Sequence, residues 1–310
     1  MKTENHAEKQ KIIVLQGPTG VGKSAVSLDL SRAISAEIIN ADSMQFYRHM
    51  DIGTAKPTPQ ELSDIPHHLF SVVNPDEQFN AARFMREARL LIADIARRGR
   101  VPLLVGGTGL YIRALTRGLS SAPPADEALR NELISLGKEE LYKTLKHIDP
   151  ESAAHISRND SVRIVRAIEV YRLTGETMSQ HNLRHRFQDR PYACLKLCLT
   201  RNRDELYALI GARVERMVED GLISEVERLF ALGYGPELRP LCSIGYKQIA
   251  QHIRGELSRA EAVSRIQRET RRFAKRQLTW LRHDPENIWV KLPDGATDIR
   301  RHAKKFLNLE

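Results

Sequence analysis

The chain has 310 residues, 41% of them hydrophobic and 28% charged, an ordinary globular composition that allows one large domain and a smaller one. Its 48 Lys and Arg residues exceed its 39 acids by 9; such a surplus favours a polyanionic partner, although a merely basic enzyme fits equally well. The three cysteines have no metal-ligand spacing and argue against a disulfide framework. The N-terminus is polar, which argues against a signal peptide, and no apolar run approaches the ~20 residues of a membrane span. These features together predict a cytoplasmic protein.

The first part of the chain alternates apolar runs typical of buried strands with segments of helical spacing. In chain order we predict a strand at Lys11–Gln16, a helix at Ser24–Ser35, a strand at Glu37–Ala41, a helix at Phe79–Arg98 closed by Gly99, and a strand at Val101–Val105. This alternation predicts a parallel sheet covered on both faces by helices. Ligands of such sheets bind where the strands end, and Gly17, Asp42 and Thr108 all follow strand ends.

A change of composition at residues 120–124, Ser-Ser-Ala-Pro-Pro, marks a predicted domain boundary. The chain from there to Arg190 has helical spacing and many charges, strand character returns at Cys194–Leu199, and most of the remainder is helical. We therefore predict a core of residues 11–122 plus 191–310 and a helical insertion of residues 123–190.

Between the first strand and the first helix, residues 17–24 read Gly-Pro-Thr-Gly-Val-Gly-Lys-Ser and match the P-loop pattern G-x-x-x-x-G-K-[ST]. Glycines let backbone N–H groups converge on phosphate oxygens at a helix N-terminus. Lys23 would neutralise a distal phosphate and the Ser24 hydroxyl would bind Mg²⁺. The fold class is thus an α/β, P-loop NTPase-like parallel sheet core with a helical insertion.

The metal-binding carboxylate of hydrolytic P-loop enzymes has no counterpart after Val101–Val105, which runs into Gly-Gly-Thr-Gly. Asp42 instead follows a strand, where it could act as a general base, position a metal or cap a helix. Thr108 could likewise cap the next helix or donate to a phosphate oxygen.

A predicted C-terminal helix, Arg265–Arg282, carries seven cations against one acid, Glu269. Its sign bias favours contact with a nucleic-acid backbone over a plain solvated face. Ile266, Phe273 and Gln277 follow an inward-facing stripe, and Trp280 is predicted to pack in the core rather than to stack on bases.

Several motifs together resemble the tRNA dimethylallyltransferase family, also called tRNA isopentenyltransferases. They are GPTGVGKS from Gly17, ADSMQFYRHMDIGTAKP from Ala41, GGTGLY from Gly106, RIVRAIEVYRLTG from Arg163, CSIGYKQ from Cys242 and KRQLTWLR from Lys275. The resemblance extends over nearly the whole chain, and its form is similar to the bacterial one because the zinc finger of eukaryotic relatives is absent.

The resemblance implies transfer of a dimethylallyl group from dimethylallyl pyrophosphate to the exocyclic amine of the tRNA adenosine that follows the anticodon on its 3′ side, with release of pyrophosphate. It implies Mg²⁺ as the metal. Apart from the resemblance, a monomer is adequate for this reaction, and no membrane contact is expected. Asp42 would be the general base, with Lys23, Thr108 and Arg213 as the other catalytic residues. The donor pyrophosphate would be held by Gly17, Pro18, Thr19, Gly20, Val21, Gly22, Lys23 and Ser24.

The same resemblance implies a set of tRNA-contacting residues in four segments. They are Asp42, Ser43, Met44 and Gln45; Arg163 and Arg166; Cys242, Ser243, Ile244, Gly245, Tyr246 and Lys247; and Lys275, Arg276, Gln277, Leu278, Thr279, Trp280, Leu281 and Arg282. The chain departs from the family pattern at Ser71 and Asn74, where relatives typically carry acids.

Three alternatives stay open on the sequence. A P-loop kinase for a metabolite or nucleotide would share the loop, and an adenylate isopentenyltransferase would share the chemistry without needing an extended basic surface. A non-catalytic RNA-binding module would have no use for the phosphate loop.

Overall fold

This computed structural model describes residues 9–309, which form six strands and fourteen helices. The strands are β1 Lys11–Gln16, β2 Ala36–Asn40, β3 His67–His68, β4 Val101–Gly106, β5 Ala193–Thr200 and β6 Asn287–Lys291. The first seven helices are α1 Lys23–Ile34, α2 Pro59–Asp64, α3 Ala81–Arg97, α4 Gly109–Arg117, α5 Glu127–Ser135, α6 Lys138–Ile148 and α7 Pro150–His155. The other seven are α8 Ser161–Thr174, α9 Met178–His185, α10 Arg203–Glu219, α11 Leu222–Ala231, α12 Tyr246–Ile253, α13 Arg259–Arg282 and α14 Ala296–Leu307.

All strand pairs of the sheet are parallel, and the strand order is β3-β2-β4-β1-β5-β6. The register pairs Gln16 of β1 with Gly106 of β4, and Asn40 of β2 with Val105 of β4. Because neighbouring strands end at the same level, the residues that follow β1, β2 and β4 leave the sheet at one edge. The predicted parallel α/β sheet is therefore confirmed.

Alternate residues of each central strand face opposite sides of the sheet and belong to different hydrophobic clusters. Ile12 and Val14 of β1 pack into a cluster with residues of α3, α10, α11, α12 and α13. Ile13 and Leu15 pack into a second cluster with residues of α1 and α14. Burial on both faces explains why these strands are apolar throughout.

Residues Arg117–Arg190 form a compact unit of their own. Helices α5 to α9 pack around a separate apolar cluster that includes Leu133, Leu145 and Ile168. The buried carboxylate of Glu169 accepts hydrogen bonds from the Asp126 backbone N–H and the Arg130 side chain. The unit begins a few residues before the predicted boundary at 123 and ends at the predicted Arg190.

The predicted strands and long helices agree with the structure to within a few residues, whereas the two-residue strand β3 has no counterpart among the predictions. Such a short edge strand lacks the apolar alternation that a sequence reading needs. None of the described helices combines the length and the apolar character required to cross a membrane.

A buried carboxylate fixes the turn at residues 51–53, which lies within the motif that starts at Ala41. Glu225 of α11 is 1% exposed and accepts hydrogen bonds from the backbone N–H groups of Asp51 (2.9 Å), Ile52 (2.7 Å) and Gly53 (3.1 Å). The hydroxyl of Tyr246 donates a fourth hydrogen bond to it at 2.6 Å. Burial, followed by the neighbouring Glu225 charge, raises the pKa of Tyr246 well above its usual value, so this hydroxyl stays a donor.

Replacement of this carboxylate tests its structural importance. The Glu225→Ala variant leaves several buried donors without an acceptor and should lose about 3 kcal/mol of unfolding free energy. Urea unfolding followed by circular dichroism measures the loss. The control is Glu227→Ala, an exposed position on the same helix, which should unfold like the parent. Equal unfolding midpoints for the two variants would contradict the anchoring role of Glu225.

Candidate active site

The phosphate loop connects the end of β1 to the start of α1. Gly20 and Gly22 have φ angles of +80° and +106°, in the left-handed region that side chains disfavour. A Cβ on Gly20 would lie 2.8 Å from Cγ1 of Ile210, so α10 packs directly on the loop. The loop thus has the glycine conformations, at the N-terminus of a helix, that an anion site built from backbone N–H groups requires.

Lys23 begins α1, and its ammonium group turns back into the loop. Its Nζ donates hydrogen bonds to the carbonyl oxygens of Gly17 (3.0 Å) and Pro18 (2.9 Å). Burial lowers the pKa of Lys23 to about 8; the Asp42 charge raises this pKa and the Arg213 charge lowers it. The three ionisable groups therefore lie close enough to influence one another.

Asp42 lies in a turn just beyond β2, and the buried Asn40 side chain holds that turn in place. Asn40 accepts a hydrogen bond from the Asp42 N–H (2.8 Å) and donates to the carbonyl oxygens of Asp42 (3.2 Å) and Leu69 (2.9 Å). Oδ1 of Asp42 accepts from the Met44 N–H at 3.0 Å, which closes an Asx turn. Asp42 precedes no helix, so the helix-cap alternative does not apply.

Thr108 follows β4 and precedes α4. Its Oγ1 accepts a hydrogen bond from the Ser43 N–H at 3.0 Å, while its own N–H donates to the Ala41 carbonyl at 3.2 Å. Thr108 therefore joins the turn that carries Asp42 to the end of β4. Its carbonyl starts α4, but its side chain contacts the neighbouring turn instead of the helix N-terminus.

Arg213 of α10 reaches the phosphate loop from the helix side. Its Nη1 lies 3.5 Å from Oγ1 of Thr19. Burial lowers the pKa of Arg213, and the charge of Asp42 acts in the opposite direction. Lys23, Asp42, Thr108 and Arg213, which the sequence reading assigned to catalysis, are thus brought to one edge of the sheet.

Gln277 of α13 connects two strand ends. Its Oε1 accepts a hydrogen bond from the Thr19 N–H at 2.8 Å, and its Nε2 donates to the Gly107 carbonyl at 3.1 Å. The backbone N–H of Thr19 is therefore already used inside the protein, as is that of Val21, which lies 3.4 Å from the Pro18 carbonyl oxygen.

A cavity of about 750 Å³ opens beside Arg213. Its charged lining includes Lys56 and Arg216, and its apolar lining is extensive: Ile52, Ala55, Pro57, Pro59, Leu62, Phe70 and Met217. With Arg213 the lining holds three cations against two acids, Asp51 and Asp220. A cavity lined by a cationic excess and by many apolar side chains suits a ligand that has an anionic head and a hydrocarbon tail.

The two departures from the family pattern lie next to cations. The nearly buried Nζ of Lys56 donates to Oδ1 of Asp51 and to Oγ of Ser71, both at 2.7 Å. Oδ1 of Asn74 lies 3.5 Å from Nη1 of Arg48. A hydroxyl and an amide thus accept where an acid would have formed an ion pair.

The exposed face of α13 carries the cations expected from the sequence, including Lys275, Arg276 and Arg282. The inward positions are Ile266, Ala274, Gln277 and Leu281. The prediction that Trp280 packs in the core was wrong: its side chain is 41% exposed, and the Arg113 guanidinium lies 5.5 Å from the ring centroid. Trp280 and Phe273 lie at the margin of the inward stripe, where an aromatic ring is only half covered.

The other predicted tRNA-contacting residues differ in exposure. Cys242 and Lys247 are exposed, whereas Tyr246 is buried against Glu225 and, like Leu281 of α13, has no surface to offer a partner. In the insertion, Arg163 is exposed and lies 3.4 Å from Asp160. Arg166 instead bonds Glu169 and the Pro123 carbonyl within its own unit. Contact of these segments with tRNA stays a prediction.

The sequence reading missed three parts of this site: the support of Asp42 by Asn40, the support of the 51–53 turn by Glu225, and the position of Gln277 between two loops. Only Gln277 had a usable signal, since a polar side chain on an inward-facing stripe must find buried partners. The other two depend on contacts that no local pattern indicates.

Family models and curated relatives match nearly the whole chain. A family model described as IPP transferase matches residues 45–284, and one described as isopentenyl transferase matches residues 10–70. The chain is 50% identical, over 96% of its length and 88% of the relative's, to a tRNA dimethylallyltransferase of Syntrophobacter fumaroxidans. It is 48% identical, over 98% of its length and 99% of the relative's, to tRNA dimethylallyltransferase 1 of Citrifermentans bemidjiense.

Solved structures are similar as well. The full-length tRNA isopentenylpyrophosphate transferase from Bacillus halodurans superposes with a TM-score of 0.73 at 38% identity and 97% coverage of both chains. A eukaryotic dimethylallyltransferase acting on tRNA gives a TM-score of 0.79 at 31% identity, covering 94% of this chain and 75% of the other. The motifs, the fold and these relatives together establish that the chain belongs to the IPP transferase family, the family of the tRNA dimethylallyltransferases.

Proposed function

We propose that this chain transfers a dimethylallyl group from dimethylallyl pyrophosphate to the exocyclic amine of the adenosine 3′-adjacent to the anticodon in tRNA. The observation that carries the proposal is the meeting of Lys23, Arg213 and Asp42 at the end of the sheet, beside the phosphate loop. Two cations with one carboxylate leave a net positive pocket, which a pyrophosphate group would neutralise.

Asp42 would act on the nucleophile. The adenine amine is weakly nucleophilic because its lone pair is delocalised into the ring, and a carboxylate that accepts its proton restores electron density to nitrogen. The new bond joins this nitrogen to the allylic carbon of the donor, the bond from that carbon to the pyrophosphate oxygen breaks, and the proton passes to Asp42. The Asn40 and Met44 contacts hold the carboxylate in one orientation for this step.

The cationic groups would act on the leaving group. Breaking the carbon–oxygen bond leaves negative charge on pyrophosphate, which Lys23, Arg213 and the loop N–H groups oppose from fixed positions. In this arrangement Lys23 exchanges its contacts with the Gly17 and Pro18 carbonyls for contacts with phosphate oxygens. The apolar side chains that line the cavity beside Arg213 fit the hydrocarbon part of the donor.

Mg²⁺ is the proposed metal, and the residues present are compatible with it. The Ser24 hydroxyl is exposed in the first turn of α1, and Mg²⁺ commonly binds through one or two protein oxygens, several waters and substrate phosphates. The described residues hold no group of three or more His, Cys, Asp or Glu side chains that could bind a metal, so Ser24 and the donor would supply the ligands. When bound, the ion would offset charge on the pyrophosphate.

The cationic face of α13 and the exposed arginine of the insertion are the proposed tRNA contacts. Single-stranded anticodon loops allow a base to leave its stack at low cost, which brings the amine to the donor. A monomer suffices for the proposed reaction because Lys23, Asp42, Thr108 and Arg213 all come from one chain.

Incubation with unmodified tRNA and dimethylallyl pyrophosphate, followed by nucleoside mass spectrometry, tests the proposal. The expected result is a gain of one five-carbon prenyl unit on adenosine. Label transferred from the γ-phosphate of ATP to a small acceptor would support the kinase alternative instead, and prenylation of free adenosine monophosphate but not of tRNA would support the adenylate alternative.

The Asp42→Asn variant tests the proposed base. Loss of the proton acceptor should lower turnover by roughly 100- to 10,000-fold, while the affinity for tRNA changes only a few-fold. Single-turnover prenylation and filter binding measure the two quantities. The control is Asp76→Asn, at an exposed position in the same structural unit as Asp42. Unchanged turnover in the Asp42 variant would remove Asp42 from the role of base.

The lowered pKa of Lys23 gives a pH dependence. Below pH about 8 the ammonium is charged and binds pyrophosphate, whereas above it the free enzyme loses that charge and its affinity for pyrophosphate should fall. Calorimetric titration with pyrophosphate between pH 6.5 and 9.5, roughly 1.5 units either side of that pKa, follows the change. The Lys23→Met variant should bind weakly and lack the alkaline decrease; an identical decrease in both proteins would assign it to another group.

Three cations of α13 test the RNA surface. Combined replacement of Arg268, Arg272 and Lys275 by Ala should weaken tRNA binding. It should also reduce the magnitude of the negative slope of log affinity against log salt concentration by about two. The matched control removes three cations of α14, Arg301, Lys304 and Lys305, and should keep the slope of the parent. Equal slopes for both triple variants would mean that α13 does not contact the RNA backbone.

A further inference from the structure

Gln277 is a buried amide whose two polar ends face different loops. The side chain is 7% exposed, and it lies on the inward face of α13. Its oxygen accepts from the Thr19 N–H and its nitrogen donates to the Gly107 carbonyl. These two contacts join positions 258 and 170 residues away along the chain.

The two backbone groups that the Gln277 side chain contacts explain why this position requires an amide. One partner is a backbone donor and the other a backbone acceptor, and both lie beside a site that carries cationic charge. A neutral group with an acceptor and a donor side by side satisfies both, whereas a carboxylate would face a carbonyl and an ammonium would face an N–H. The amide therefore matches this position and its charged alternatives do not.

The turn after β4 is shaped to receive α13. A Cβ on Gly107 would lie 2.4 Å from Nε2 of Gln277, and a Cβ on Gly109 would lie 2.0 Å from Nε1 of Trp280. Two glycines thus allow two side chains of α13, three positions apart, to approach the backbone on either side of Thr108. The contact between α13 and this turn is close-packed, which leaves the Thr108 segment little freedom.

We propose that Gln277 is a positioning residue that fixes the phosphate loop relative to the turn bearing Thr108, so that the donor pyrophosphate and Thr108 meet in register. The inference rests on the proposed function, because Thr19 and Thr108 are taken as parts of the donor site. It assigns to Gln277 an effect on the donor rather than on the RNA, although its helix presents cations to solvent.

The Gln277→Met variant tests the proposal, since methionine has a similar length and no hydrogen-bonding amide. Loss of the two hydrogen bonds should raise the KM for dimethylallyl pyrophosphate and the Kd for pyrophosphate by about tenfold. The KM for tRNA should stay within about twofold, because the buried Gln277 side chain, although expected from the sequence to contact tRNA, uses both ends of its amide inside the protein. A merely structural defect would lower the active fraction and thereby kcat, without this selective rise in donor KM.

The matched control is Gln267→Met, on the same helix but bonded to Gly211 and Glu215. This variant should keep both KM values and the pyrophosphate affinity of the parent. A Gln277 variant with unchanged donor KM and unchanged pyrophosphate affinity would overturn the proposal, as would an equal rise in the control. Pyrophosphate titration needs no turnover, so it still tests Gln277 if the parent protein fails to prenylate tRNA, a failure that would count against the proposed function alone.

Discussion

At the carboxyl edge of the sheet, the two cations Lys23 and Arg213 lie near a single carboxylate, Asp42. The electrostatic character of the site depends on this imbalance of charge. Burial lowers the pKa of Lys23 and that of Arg213, while the charge of Asp42 raises both pKa values. A site in this state gains electrostatic energy when a multivalent anion enters. The parallel register makes the imbalance possible, because it ends β1, β2 and β4 at one level and so brings residues 23 and 42 together.

The surrounding contacts hold these charges in place without adding charge to the pocket. Asn40 fixes the Asp42 turn, and Gln277 fixes the loop before Lys23; both use neutral amides. The buried carboxylate of Glu225, which holds the turn at residues 51–53, accepts hydrogen bonds from backbone N–H groups and a tyrosine hydroxyl rather than from a cation. The groups that the proposed chemistry uses are therefore held by neutral or backbone contacts.

Much of this arrangement could be predicted from local sequence. The loop at residues 17–24, the apolar strands and the following Asp42 and Thr108 are each recognisable within a window of a few residues, because glycine geometry and apolar runs are local properties. The contacts of Gln277 and Glu225 could not be predicted, since each joins segments more than 150 residues apart. Trp280 was misplaced for a related reason: helical spacing gives the direction of a side chain, but the neighbouring helices decide how far it is covered.

The strand order has a consequence for the order in which this protein can fold as it is synthesised. Strand β1 comes first from the ribosome, yet its two neighbours in the sheet are β4 and β5, which begin at Val101 and Ala193. The helical unit of Arg117–Arg190 has its own apolar cluster and lies between them in the chain, so it can fold while β1 still lacks one partner. The phosphate loop is made before α13, so its hydrogen bond from the Thr19 N–H to Gln277 can form only after Gln277 has emerged. In a nascent chain the phosphate loop therefore lacks this contact until the segment that carries α13 has been translated.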